Sequence, residues 1–89
     1  MPYWELSNFS PPGLEVNGTY WSTVEHYFQA QKFTDNGIQE RIRHARTPKE
    51  ARALGQSRTL PLRLDWDNAR ESVMLYALRI KFRVPTARN

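Results

Sequence analysis

The chain has 89 residues, a formal charge of +4 and no cysteine, which bounds it to one small domain with neither a disulfide framework nor a thiolate metal site. A hydrophobic share of 39%, with eleven aromatics, excludes a disordered class. No apolar run nears the roughly 18 residues of a membrane-spanning helix. The start, Met1 to Glu5, carries neither a basic nor an apolar run, so the reading is no secretory leader and a cytoplasmic protein.

Pro11, Pro12 and Gly13 end any order near Phe9. Leu14-Glu15-Val16 alternates as a short strand, Asn17-Gly18 is a strong hairpin signal, and Thr19-Tyr20-Trp21 returns as the partner. A first helix is predicted over residues 23–33, interrupted by Asp35-Asn36-Gly37, with a second over 38–44. Thr47-Pro48-Lys49-Glu50 joins an N-cap, a first-turn proline and a capping-box glutamate, opening a third helix that ends at Gly55. Pro61 breaks the connection, and Asp65 or Asp67 caps a long helix to about residue 83. The fold class is therefore α+β and mainly helical: a short N-terminal β-hairpin followed by about four helices.

The first helix carries the chemistry. Glu25, Gln29 and Lys32, spaced i, i+4 and i+7, fall within about 60° of one another on its surface. Val24, Tyr27 and Phe28 lie on one side of that line, and Ala30 and Phe33 on the other. Polar groups between apolar shoulders suit the wall of a cleft. Spacing alone also fits a plainer account, in which Ser22 and Glu25 form a capping box, Glu25 and Lys32 an exposed ion pair, and His26 a hydrogen-bonded structural histidine.

Ten arginines stand against three lysines, and Arg41, Arg43, Arg46 and Arg52 cluster mid-chain. Such a patch suits a phosphate-bearing ligand or a solvated basic face equally well, and spacing does not say which arginine enters a cleft. Two histidines eighteen positions apart give no metal set, so no metal and no cofactor are expected. In the last helix Ala69, Val73, Tyr76, Ala77 and Ile80 form one apolar stripe, with Met74, Leu75, Leu78 and Phe82 beside it. A helix apolar around so much of its circumference needs cover on two sides, and the short elements here can supply one.

Ser7-Asn8-Phe9, Asn17-Gly18, Trp21, Thr23-Val24-Glu25-His26-Tyr27, Gln29-Ala30 and Lys32-Phe33 stand in the order and spacing of the NADAR superfamily. Thr47-Pro48, Glu50-Ala51, Leu54-Gly55, Asp65-Trp66, Arg70, Val73-Met74, Ala77-Leu78 and Lys81-Phe82 continue the pattern. The chain resembles a NADAR domain over residues 1–89, corresponding to the front two-thirds of the family domain, so an incomplete NADAR fold is expected. A homo-oligomer that covers the last helix is one way of completing it.

The resemblance implies an N-glycosidase that hydrolyses the C1′–N bond of a ribosylated base or amine. Phosphoribosylated intermediates of riboflavin synthesis and ADP-ribosylated guanine are the implied substrates, with nucleic acid entering only as an ADP-ribosylated substrate. It assigns Glu25 as the carboxylate that positions water or steadies the sugar cation. Lys32 either holds a phosphate or ribose hydroxyl, or attacks C1′ as an amine and forms a Schiff base. Gln29 suits a sugar hydroxyl, Trp21 and Trp66 offer faces for a base, and His26 belongs to the same block. Asp65 orients a pocket group or caps the last helix, and Asn8 presents its amide to a base edge or makes a loop turn. Lys81 reads as structural. The competing reading is a degenerate module that binds a nucleotide or ADP-ribose without cleaving it. A nucleic-acid-binding domain rests on charge alone.

Overall fold

The computed structural model describes residues 9–57 and 59–82. Strands β1 (Leu14–Val16) and β2 (Thr19–Trp21) form an antiparallel hairpin, with Leu14 opposite Trp21 and Val16 opposite Thr19. Asn17 at φ 51° and Gly18 at φ 83° turn the chain in two residues, the left-handed backbone that this dipeptide tolerates. Alternation then decides the faces: Leu14, Val16 and Trp21 are buried, while Glu15 and Tyr20 are exposed.

Helix α1 (Val24–Ala30) is shorter than expected at both ends. Thr23, not Ser22, is its N-cap, and the Thr23 hydroxyl accepts from the His26 backbone N–H at 3.2 Å. Ser22 is exposed, so the Ser22–Glu25 capping box does not form and the Glu25 carboxylate is released for other partners. At the far end the Lys32 and Phe33 amides donate to Gln29 and Ala30, three residues back, at 3.2 Å each. This tight final turn takes Lys32 off the regular helix.

Helix α2 (Asn36–Arg43) begins two residues before the expected position, because Asp35 caps it by accepting from the Ile38 N–H at 2.9 Å. Helix α3 (Pro48–Gly55) is as read: Thr47 caps it, its hydroxyl accepting from the Glu50 N–H at 3.0 Å. Helix α4 (Trp66–Phe82) starts where the Asp65 carbonyl accepts from Asn68 and Ala69 at 3.0 and 2.9 Å.

The core forms around α1, which packs against α2, α3 and α4, while β1 packs on α4. Val24 and Phe33 are buried with Ile42 of α2, and the small Ala51 of α3 and Ala77 of α4 let their helices approach closely. Each large apolar side chain so buried contributes about 1.5–3 kcal/mol. On α4, Val73, Met74, Leu78 and Ile80 pack half-buried against this core, whereas Leu75, Tyr76 and Phe82 are 52%, 49% and 48% exposed. One side of the helix is covered and the other is open. No helix among the described residues is long and apolar enough to cross a membrane.

Candidate active site

A cleft of about 860 Å³ opens between α1, α3 and α4. Its floor is α1, which supplies Glu25, Phe28 and Gln29, and the turn that follows, which supplies Lys32. Arg52 and Gln56 line it at α3. The α4 wall has a polar end, with Asp67, Arg70 and Glu71, and an apolar end, with Met74, Leu75 and Leu78, and Trp66 stands at the start of the helix. The predicted line of Glu25, Gln29 and Lys32 therefore faces a hollow.

Glu25 is 1% exposed, and an unpaired carboxylate at that depth would be costly. Two donors meet it, both on one oxygen: Gln29 Nε2 donates to Glu25 Oε2 at 2.5 Å, and Arg52 Nε donates to the same atom at 3.2 Å. Arg52 thus supplies the counter-charge. The other oxygen, Oε1, takes no hydrogen bond among the described residues.

Gln29 is held as tightly. With its amide nitrogen committed to Glu25, its Oε1 is buried and has no hydrogen-bond partner among the described residues. It lies against Gly55, where an added Cβ would fall 2.0 Å from Gln29 Oε1 and 2.8 Å from Gln29 Cβ. Helix α3 can approach α1 this closely only because position 55 has no side chain. Lys32 Nζ donates to the Gly55 carbonyl at 3.3 Å, so the same residue steadies the ammonium.

Burial lowers the Lys32 pKa below the ordinary 10.5; Glu25 opposes that shift, while Arg70 and Arg52 add to it. The amine is thus made easier to deprotonate. Its backbone is fixed from outside the cleft. Arg63 donates through its backbone N–H to the Lys32 carbonyl at 2.8 Å and through its guanidinium to the Gln31 carbonyl at 3.3 Å, satisfying the end of α1.

The remaining nominated residues divide. Trp66 is in the cleft wall, its ring 5.1 Å from that of Phe28. Trp21 is in the core, edge-on to Tyr27 at 5.5 Å, and does not line the cleft. His26 is 1% exposed and turned away: Nε2 donates to the Ala45 carbonyl at 2.9 Å, which leaves Nδ1 to accept from the Thr23 hydroxyl at 2.8 Å. It fastens the start of α1 to the segment after α2. Asp65 is exposed and receives both arms of Arg63 at 2.6 and 2.9 Å, which hold its carboxyl below the usual range. It orients the residue that caps α1. Asn8 lies outside the described residues.

Arg52, Arg70 and Glu71 line the cleft without having been assigned roles from the sequence. The local signal for Arg52 was partial: it stands i, i+3 from Gly55, at the edge of the face that Ala51 and Gly55 bury, which does not say what it meets. Of the other clustered arginines, Arg41 and Arg46 are exposed and Arg43 pairs with Glu40 at 2.7 Å.

An N-glycosidase of Nostoc punctiforme is 50% identical over 84 residues, which is 91% of this chain and 54% of the relative. The N-glycosidase YbiA of Escherichia coli K12 is 46% identical over 80 residues, 90% of this chain and 50% of the relative. A riboflavin biosynthesis protein of Vibrio vulnificus is 40% identical over 77 residues, 86% of this chain and 21% of the relative. The NMR structure of E. coli YbiA superposes with a TM-score of 0.79 at 46% identity, covering 91% of this chain and 48% of that one. The chain spans about half the length of the N-glycosidases it matches. Residues 1–88 match the model of the NADAR domain, and the chain belongs to that family.

Proposed function

We propose that the chain carries the catalytic cleft of an N-glycosidase that hydrolyses the C1′–N bond of a ribosylated base or amine. The observation that carries this reading is the buried Glu25 carboxylate, held by Gln29 and Arg52 through one oxygen, in the lining of the same cleft as Lys32. The names of the relatives, N-glycosidase among them, support it. As the C1′–N bond breaks, its electron pair leaves with the nitrogen, which takes up a proton, and positive charge develops at C1′ and O4′. A fixed carboxylate stabilises that charge without reorganising, and it accepts the proton of the water that adds to C1′ and gives it up again, so that the departing nitrogen's gain of a proton balances the water's loss.

Two roles for Lys32 fit the site. As an ammonium it holds a ribose hydroxyl or phosphate. As the free amine, favoured by its lowered pKa, it attacks C1′ and displaces the base nitrogen; the sugar ring then opens at C1′–O4′, with the amine proton passing to O4′, to leave a Schiff base that water later resolves. Phe28, Trp66, Met74 and Leu78 give a flat apolar wall for the base, and Gln29 serves the sugar. The substrates proposed are phosphoribosylated intermediates of riboflavin synthesis or ADP-ribosylated guanine. Incubation with each, followed by mass spectrometry for released ribose phosphate or ADP-ribose, tests the proposal. Release should occur in the wild type and fall at least a hundredfold in Glu25→Gln, since transition-state electrostatics of this kind are worth about that much. A Gln variant with full activity refutes the role of Glu25.

The open side of α4 favours a second reading, a module that holds the ligand without cleaving it, or one that acts only when a second copy covers Leu75, Tyr76 and Phe82. Tight binding of ADP-ribose without release would decide for the module. Sedimentation showing a strict monomer would remove the second copy.

A further inference from the structure

The Arg52 guanidinium lies over the Phe9 ring, 4.7 Å from its centroid, while its Nε–H reaches Glu25. Phe9 is partly buried and does not line the cleft. The next residue is held from the opposite wall, for Lys81 Nζ of α4 donates to the Ser10 carbonyl at 2.6 Å. A short stretch of backbone therefore runs from α4 to the outer face of Arg52. We infer that Phe9 is a positioning residue for Glu25, acting through Arg52; this rests on the catalytic role proposed for Glu25.

Arginine has several rotatable bonds, and the Arg52 side chain is 35% exposed, so one ion pair would leave its guanidinium plane free to turn. A ring face fixes that plane, because the guanidinium stacks flat on the π cloud. Once the plane is fixed, Nε–H is directed at Glu25 Oε2, and the carboxylate of this cleft-lining residue keeps its orientation. Phe9 is not among the residues that line the cleft, so its loss should change the rate of the chemical step and leave substrate binding alone. Lys81 belongs to the same relay, since it sets where the Phe9–Ser10 backbone lies.

The test is an aromatic series at position 9 with two readouts. Phe9→Leu keeps apolar bulk and removes the ring, whereas Phe9→Tyr and Phe9→Trp keep a ring face. With a phosphoribosylated aminopyrimidine as substrate, Phe9→Leu should lower kcat about tenfold with KM within about twofold, and the aromatic variants should restore it. The second readout needs no turnover. The Arg52 Nε–H resonance should be shifted by the ring current and protected from exchange in the wild type, persist in Phe9→Tyr and lose both properties in Phe9→Leu. A resonance unchanged in Phe9→Leu overturns the inference, and so does a lost resonance with kcat intact. If the wild type cleaves none of the substrates, the hydrolase reading fails, while the resonance still decides whether Phe9 sets Arg52.

Discussion

Replacing Gly55 by alanine sets two known effects against each other. Alanine is favoured over glycine inside a helix by about 1 kcal/mol, so on propensity alone Gly55→Ala should stabilise α3. The space is taken, however. The new methyl would stand 2.0 Å from Gln29 Oε1, 2.8 Å from Gln29 Cβ and 2.9 Å from Gln29 Cδ, against an ordinary carbon–carbon contact of about 3.5–4.0 Å. Rotating the amide away relieves the first contact but breaks the bond to Glu25. The contact with Cβ cannot be relieved by a side-chain turn, so α3 must move back from α1 by several tenths of an ångström. Overpacking of this kind costs about 1–3 kcal/mol, which exceeds the propensity gain. The net expectation is a loss near 1 kcal/mol in urea denaturation, with a disproportionate fall in glycosidase activity as Gln29 and Lys32 lose their placement. A variant stabilised by the full propensity gain and still active would show that the two helices do not meet as described.

Lys32→Arg keeps the charge and cannot form a Schiff base, so it should abolish borohydride trapping of a sugar adduct if the covalent route operates. In the wild type, trapping should rise as pH rises and level off below the ordinary lysine value of 10.5, because the amine reacts only when deprotonated and burial lowers its pKa. His26→Ala should cost about 1–3 kcal/mol in denaturation experiments by leaving the Ala45 carbonyl without its donor and the Thr23 hydroxyl proton without its acceptor, while the backbone cap to Thr23 persists. If the fold holds at low temperature, KM there should be unchanged, since the ring does not reach the cleft. Gly18→Val places a β-branched residue at φ 83° and should destabilise the hairpin by about 1–2 kcal/mol, whereas Gly18→Asn should be much milder, as melting temperatures would show.

Features decided by a few neighbouring residues were legible in the sequence. Asn17-Gly18 requires a tight turn whatever surrounds it, and Thr47-Pro48-Glu50 starts a helix by local hydrogen bonding alone. The start of α1 was less legible because Ser22 and Thr23 are both good caps. Burial chose between them: the Thr23 hydroxyl also donates to the buried His26 ring, whose other nitrogen is fixed by the distant Ala45 carbonyl. Glu25, Gln29 and Lys32 could be placed together because one helix and the tight turn that ends it carry all three. Arg52 could not, as its meeting with Glu25 depends on how α3 lies across α1, and that depends on a missing side chain at Gly55. The two tryptophans look alike as residues and part only in three dimensions: Trp21 is sealed by the hairpin and Tyr27, while Trp66 shares the cleft wall with Phe28.

The bare hydrocarbon on α4 has a practical meaning. Leu75, Tyr76 and Phe82 give the native chain an adsorptive flank next to a hollow lined by Met74 and Leu78. Fluorescent dyes such as ANS, which usually report a loosened interior, would light up on this protein while its near-ultraviolet dichroism stayed intact. Dye brightness would then gauge how much of that flank is bare rather than how much of the fold has melted.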